Sequence, residues 1–329
     1  MKDILGIEIG NKTVKFAEVK RGVLRNFAYV EMPENIVVND ALVAFDAMSQ
    51  LIKETVKANK ISVNRCALVL PGTDVYLRRL RLPAMSEKQL MVNMPYEFKD
   101  VLSMDKDKYI YDYSMIDYIK DENDEVKEME LLGAVVSKEL IDKYIDMFKR
   151  AGLKLVRAVP RELSLASLVE LLNGESETKD FAILDLGYKS SKVDIFKNGT
   201  YEITTTIDTG SEMAEQATAE LMGVDVHVAS KYLQMNKDNV QNNEKIVDIF
   251  SSAATEIMRV MNYYAFENPD STLDTLYYCG GASVMKRYVE EIANMVNLDL
   301  KPLAELSESK DDDEAVTKGA AALGVCYTE

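Results

Sequence analysis

Apolar positions along the chain recur with two periods, and the order in which the periods alternate outlines the fold. Phe181-Ala182-Ile183-Leu184 is an unbroken apolar run of strand length, and Lys192–Lys197 alternates with the period of a half-buried strand. Between them, Asp185-Leu186-Gly187 forms a tight turn, Tyr188-Lys189-Ser190-Ser191 is rich in donors, and Asn198-Gly199 is a further turn signal. This predicts a hairpin whose bend offers N–H groups, hydroxyls and an ammonium to an anion, beside a carboxylate able to hold a hydrated metal. The start of the chain repeats the pattern. Residues 4–24 align without a gap on 181–201, placing Glu8 on Asp185, Gly10 on Gly187, Lys12 on Lys189, Thr13 on Ser190, Lys15 on Lys192 and Gly22 on Gly199. One hairpin in two copies predicts two similar lobes facing a shared cleft.

Between the copies, helical spacing over Asp40–Asn59 leads to a buried strand, Cys66–Leu70, stopped by Pro71-Gly72. Tyr76–Leu82 then alternates apolar and basic residues up to Pro83, and Ser86 with Gln89 opens a helix through a capping box. Tyr109–Tyr118 and Val126–Val136 read as strands joined by an acidic tip, Lys120–Glu125, with no predicted structure of its own. A helix over Lys138–Ala151, closed by Gly152, and a strand over Leu153–Val159 complete a β-α-β-β-α-β series. The series predicts a small insert in the first lobe. A short helix, Leu163–Leu172, and a polar link, 173–178, precede the second hairpin. After it come a strand at Tyr201–Thr206, the turn Asp208–Glu212, and helices at Met213–Met222, Val226–Asn236 and Asn242–Glu267. The strand Thr275–Cys279 enters a helix, Met285–Val296, through Gly280-Gly281-Ala282-Ser283, where glycines let a ligand approach the backbone and the helix dipole. An acidic tip, 305–313, leads to a final helix, Glu314–Tyr327, whose Ala and Gly content allows close packing. The alternation predicts α/β lobes with mixed sheets.

Composition narrows the partners. At 329 residues and 47% hydrophobic the chain can bury a large core, and 39 Lys plus Arg against 55 Asp plus Glu give a net charge of −16. An acidic chain argues against nucleic acid, while leaving room for a local basic patch around a nucleotide. Cys66, Cys279 and Cys326 show no paired spacing and fit buried thiols in a reducing cytoplasm. The first residues run straight into a strand pattern, so no secretion signal is expected, and no apolar run is long enough to span a membrane.

Five segments carry a resemblance: GIEIGNKTVK near the start, LRLPAMSEKQL in the insert, LDLGYKSSKVDIF, YYCGGASVM and the final GAAALGV. Together they resemble the type IV pilus assembly PilM family, relatives of the division protein FtsA among actin-like ATPases. The resemblance implies a duplicated, ribonuclease H-like, actin-like two-lobe α/β fold. The first lobe would comprise 1–75, 157–178 and 304–329, with the insert at 76–156; the second lobe 179–211 and 272–303, with a helical subdomain at 212–271. It implies ATP with Mg²⁺. Gly10, Asn11, Lys12 and Thr13 would form one phosphate loop, and Gly187, Tyr188, Lys189 and Ser190 the other. Gly210, Lys231, Gly280, Gly281, Ala282 and Ser283 would line the adenosine. Glu8 and Asp185 would hold the metal through water, and Glu162 on the connecting helix would position water. The chain departs from the family pattern at Glu8, where an aspartate is usual, at Leu163 for a proline, and at Ser230 for a glutamate. ATP binding tolerates such changes better than hydrolysis does, since hydrolysis depends on fine positioning. The implied role is a cytoplasmic ATP-binding scaffold, peripheral to the inner membrane through the N-terminal tail of a PilN-like membrane protein.

Plainer readings stand beside these. Lys12 and Lys189 are either phosphate ligands or solvated loop lysines. Arg78, Arg79 and Arg81 are either peptide contacts or the polar face of an edge strand. His227 reads as a helix-start residue, the Met residues as packing, and Asp311–Asp313 as a solvated helix start. A sugar-type kinase of the same superfamily would need a general-base aspartate after the second hairpin, and none stands out. An FtsA-like filament protein would end in an amphipathic membrane helix, whereas this sequence ends in a core-like one. Self-association stays open.

Overall fold

The computed structural model describes residues 2–33, 35–38, 41–102, 105–173, 180–307 and 312–328. Asp40, the link residues 174–178 and residues 308–311 of the acidic tip, Asp311 among them, lie outside the described residues.

The first lobe opens with an antiparallel meander, β1 (Ile4–Ile9), β2 (Thr13–Lys20) and β3 (Val23–Glu31). A two-residue pair, β4 (Val37–Val38) and β5 (Ala41–Leu42), leads into α1 (Phe45–Ala58), and β6 (Arg65–Leu70) returns parallel to β1. The chain then leaves the sheet for β7 (Val75–Pro83), α2 (Glu87–Glu97), β8 (Tyr109–Lys120) and β9 (Val126–Ser137). Those strands make a separate sheet, β7-β9-β8, with its own core of Leu80, Leu82, Leu90, Met94, Phe98 and Leu131. The chain comes back through α3 (Lys138–Arg150) and β10 (Lys154–Pro160), which pairs in parallel with β6.

The insert is therefore smaller than 76–156. Tyr144, Met147 and Phe148 of α3 are buried with Met48 and Ile52 of α1, and β10 belongs to the first-lobe sheet. Its acidic tip is also more structured than the sequence implied. The Asp121 carboxylate accepts the N–H groups of Asn123 at 2.8 Å and Glu125 at 3.1 Å, closing a turn between β8 and β9.

From β10 the connecting helix α4 (Arg161–Asn173) crosses to the second lobe, with β11 (Phe181–Leu186), β12 (Ser191–Lys197) and β13 (Thr200–Ile207). Helices α5 (Ser211–Met222), α6 (Val226–Gln234) and α7 (Glu244–Glu267) follow, then β14 (Thr275–Cys279), α8 (Lys286–Met295), β15 (Asp299–Pro302) and α9 (Asp313–Gly324). The two main sheets read β3-β2-β1-β6-β10 and β13-β12-β11-β14-β15, with matching strand directions. Even an irregularity repeats. The register slips between Glu18 and Val19 in one lobe and between Ile195 and Phe196 in the other, which the gapless alignment superposes.

A layer between the sheets joins the lobes. Helices α4 and α9 bury Leu165, Leu168, Val316 and Leu323 with Ala17 and Val19 of the first lobe and Phe181, Ile183 and Phe196 of the second. Close approach explains the small residues there. A Cβ on Gly6 would stand 1.9 Å from the Ala322 carbonyl oxygen, and one on Gly324 would stand 1.9 Å from that of Ser164. All three cysteines are free and buried, and burial pushes the Cys66 and Cys326 thiols up to about 12. Among the described residues no helix is long and apolar enough to cross a membrane.

Candidate functional site

The two hairpin bends meet at one cleft between the lobes, and strand pairing fixes what each presents. Glu8 stands opposite Lys15 across β1 and β2, and Asp185 stands opposite Lys192 across β11 and β12. The Gly10 N–H donates to the Thr13 carbonyl at 3.0 Å, which closes the first bend. The second is tighter: a Cβ on Gly187 would lie 2.5 Å from the Ser190 carbonyl oxygen. Gly280 adopts φ +96°, and a Cβ there would lie 2.5 Å from Asp185 Oδ1, so backbone closes over that carboxylate only where there is no side chain. Beyond it, residues Gly281–Val284 form a 3₁₀ turn, and α8 begins only at Lys286. The glycine pair thus feeds a turn where the sequence predicted direct entry to a helix.

The cleft has a volume of about 470 Å³. Its walls carry the cations Lys12, Lys15, Arg161, Lys189, Lys192, Lys231 and Lys318 against four carboxylates, Glu8, Glu31, Asp185 and Glu215. Three positive charges in excess, on a chain of net charge −16, make a local anion site. Lys189, Lys192 and Lys231 form no ion pair with any described residue, so their ammonium groups are available. Lys15 lies 2.7 Å from Glu8 Oε1. Burial alone would lower its pKa, but the carboxylates of Glu8 and Asp185 outweigh it and hold the ammonium above its ordinary range.

Behind the wall, Arg161 donates through Nη2 to both oxygens of the fully buried Asp194, at 2.7 and 2.8 Å. Its Nη1 lies 3.3 Å from Asp185 Oδ2. Thr204 Oγ1 donates to Asp194 at 2.6 Å, tying this network back to β13. Burial raises the pKa of Asp194, while Arg161 stays charged because its three carboxylate neighbours outweigh the burial that would lower its own.

A family model described as "Type IV pilus assembly protein PilM" matches residues 6–320 of the chain. The chain belongs to the PilM family. A solved structure titled as the PilM-PilN type IV pilus biogenesis complex superposes at TM-score 0.82 with 18% identity, covering 98% of this chain and 97% of that one. The ethanolamine utilization protein EutJ from Carboxydothermus hydrogenoformans follows at 0.62 and 14%, covering 99% and 89%. A Bacteroides thetaiotaomicron protein with an actin-like ATPase fold and unknown function gives 0.51 and 9%, covering 98% and 95%. These likenesses show the actin-like two-lobe fold. Among proteins of curated function, none is similar enough in sequence to match.

Within this PilM-family chain, Glu8, Gly10, Asn11, Lys12, Thr13, Asp185, Gly187, Tyr188, Lys189, Ser190, Lys231, Gly281 and Ala282 all line the cleft. Glu162, Gly210, Gly280 and Ser283 do not. Glu162 is buried 3.4 Å from Arg161, and its Oε2 has no partner. Gly210 caps α5 against the second bend, where Ser211 N–H donates to the Gly187 carbonyl at 3.1 Å. Ser283 Oγ donates to the Gly280 carbonyl at 2.7 Å.

Sequence reasoning missed Lys15, Lys192 and Arg161. The first two were in the repeat itself, two positions beyond each loop. No local signal marked Arg161, whose carboxylate partners Asp185 and Asp194 lie far along the chain. Among the described residues no group of three or more His, Cys, Asp or Glu could hold a metal directly. Glu8, Asp185 and the partnerless buried acceptor Asn11 Oδ1 suit a cation that keeps its water shell.

In the insert, each arginine of β7 already has an acid. Arg78 meets Asp100, Arg79 meets Glu130 and, across the lobes, Glu202, and Arg81 meets Glu128. Leu80 and Leu82 turn into the insert core with Leu90 and Met94 of α2. The apolar surface left exposed beside it is Met91, Val92 and Tyr96 of α2.

Proposed function

We propose that this PilM-family protein binds ATP in the cleft and serves as a nucleotide-controlled scaffold in type IV pilus assembly. The observation that carries the reading is the cleft itself, which two glycine-closed hairpin bends border and six lysines line in an otherwise acidic chain. Lys15 and Lys192, fixed on paired strands, and Lys189 at the second bend are the phosphate-facing groups; Lys231, Gly281 and Ala282 would face the nucleoside. Mg²⁺, bound with the nucleotide, would screen the phosphate charge, with Glu8 and Asp185 ordering its water shell. Hydrolysis is slow in this reading. Glu8 is held by Lys15, and the acid of the connecting helix, Glu162, is enclosed behind Arg161 instead of facing a water in the cleft.

Mg-ATP should raise the melting temperature of ligand-free protein, and Lys15→Met should abolish that shift. Absence of saturable binding at millimolar ATP would remove the reading. Turnover at the rate of an efficient kinase would remove the slow-hydrolysis part alone.

The partner in this reading is the N-terminal cytoplasmic tail of a PilN-like membrane protein, seated at the insert as an extended peptide. Its support is the likeness to a complex of PilM with PilN and the exposed apolar face of α2 beside an edge strand. Such a partner would bring the scaffold to the inner face of the cytoplasmic membrane. Val92→Asp with Tyr96→Asp should weaken capture of a synthetic tail peptide while leaving the ATP-induced shift intact. Equal capture by the double variant would place the peptide elsewhere.

A further inference from the structure

Lys12 sits at the tip of the first hairpin, and its backbone is tied to the first lobe, its carbonyl accepting from Met32 N–H at 2.7 Å. Its side chain leaves that lobe. The ammonium donates to Glu215 Oε2 of α5 at 2.5 Å and to Ser230 Oγ of α6 at 2.7 Å, and stands 4.9 Å from the centre of the Tyr188 ring. All three partners belong to the second lobe, and Glu215, Ser230 and Tyr188 line the same cleft as Lys12 itself. The receiving end is built in advance. Glu215 is 2% exposed, and its other oxygen accepts from Ser211 Oγ at 3.0 Å. A buried carboxylate with one cationic partner loses much when that cation leaves, unless something else is gained.

We infer that Lys12 is a specificity-determining strap across the cleft, which exchanges Glu215 for the phosphate chain of an entering nucleotide. This rests on the nucleotide reading above and adds to it a condition of entry. A ligand that brings anionic phosphate to the first bend compensates the ammonium for leaving Glu215. A nucleoside, or a monophosphate whose charge stops short of the bend, does not. Glu215 and the phosphates then compete for one ammonium. Weakening the protein's side of the competition therefore favours the polyphosphate.

The experiment compares ATP, ADP, AMP and adenosine on wild type, Glu215→Gln and Lys12→Met by calorimetry, with stopped-flow association of a fluorescent ATP analogue. Glu215→Gln should bind ATP faster and about tenfold more tightly, since it removes a charge-assisted bond that binding must break. Lys12→Met should lose most of the wild type's preference for ATP over AMP. A double-mutant cycle of the two changes, read as thermal stability without nucleotide, should show coupling between them. Unchanged ATP affinity and association rate in Glu215→Gln would overturn the strap while nucleotide binding stood. So would an intact ATP-over-AMP preference in Lys12→Met, or zero coupling in the cycle. Absence of nucleotide binding by every variant would instead overturn the reading on which the strap depends.

Discussion

The guanidinium of Arg161 is enclosed by three carboxylates, those of Asp194, Glu162 and Asp185, with 5% of the residue exposed. Removing one member of such a buried group leaves the others unpaired, which costs about 3–5 kcal/mol. Arg161→Leu should therefore lower unfolding free energy by about that amount in urea titration, and Asp194→Leu added to it should recover a large part. Full stability in the single variant would mean that Asp194 takes up a proton in place of the missing cation. Two other carboxylates set the response to acid. Burial alone would raise Glu18, but the Ser62 and Val63 N–H groups and the Lys20 ammonium hold it below its ordinary range. Asp180 is lowered in the same way, against its burial, by Ser271 Oγ and the Thr272 and Asn198 N–H groups. A pKa depressed in the folded state gives stability that is complete above the unfolded value and is lost as pH falls through the folded one. The urea midpoint should accordingly fall as pH drops below about 4, and Glu18→Gln should flatten the fall.

At the level of elements, the insert is a unit with its own core, and its centre is tight. A Cβ on Gly133 of β9 would stand 3.0 Å from Met94 Cε, 3.1 Å from Leu80 Cδ1 and 3.1 Å from Phe98 Cζ. Gly133→Val should overpack this core by about 1–3 kcal/mol. Hydrogen exchange should quicken in β7, β8 and β9 while the melting shift proposed for Mg-ATP persists; loss of that shift would mean that the insert takes part in the proposed site. The same elements show what the chain made legible. The hairpins were readable because Glu8 to Gly22 and Asp185 to Gly199 carry one pattern, and the structure pairs them in one register. Strand β15, Asp299–Pro302, escaped because Asp-Leu-Lys-Pro carries no strand period, although the duplication itself called for a counterpart to β10. The insert boundary escaped for another reason. The apolar face of α3 declares that it covers a sheet but not which one, and Tyr144 and Phe148 settle on the first lobe. The two hairpin bends were thus visible in local pattern, whereas the Arg161–Asp194 network beside them depends on strand neighbours that only the closed sheet brings together.

Across the whole molecule, two kinds of connection hold the lobes in relation. Polar ties cross between the lobes, half-buried Lys12 to buried Glu215 at the cleft and, more exposed, Arg79 of the insert to Glu202 of β13. The apolar layer of α4 and α9 runs beneath them. Ionic ties weaken with salt and the layer does not. High salt should therefore widen the distribution of distances between spin labels placed across the cleft, without shifting the melting temperature by more than a few degrees; an unchanged distribution would mean that the layer alone fixes the opening. The layer also sets an order of events during synthesis. Helix α9 lies against Gly6 of β1, Ser164 of α4 and the Gly280 N–H, which donates to the Thr317 carbonyl at 2.7 Å. The ribosome makes it some three hundred residues after β1, so the back of the first sheet is covered only in part, by α4, while the intervening chain emerges. A nascent chain arrested before Asp313 should be protease-sensitive and bound by chaperones, and should become resistant once α9 has cleared the exit tunnel. Folding of this protein then includes a late closure, in which its first strand waits for α9.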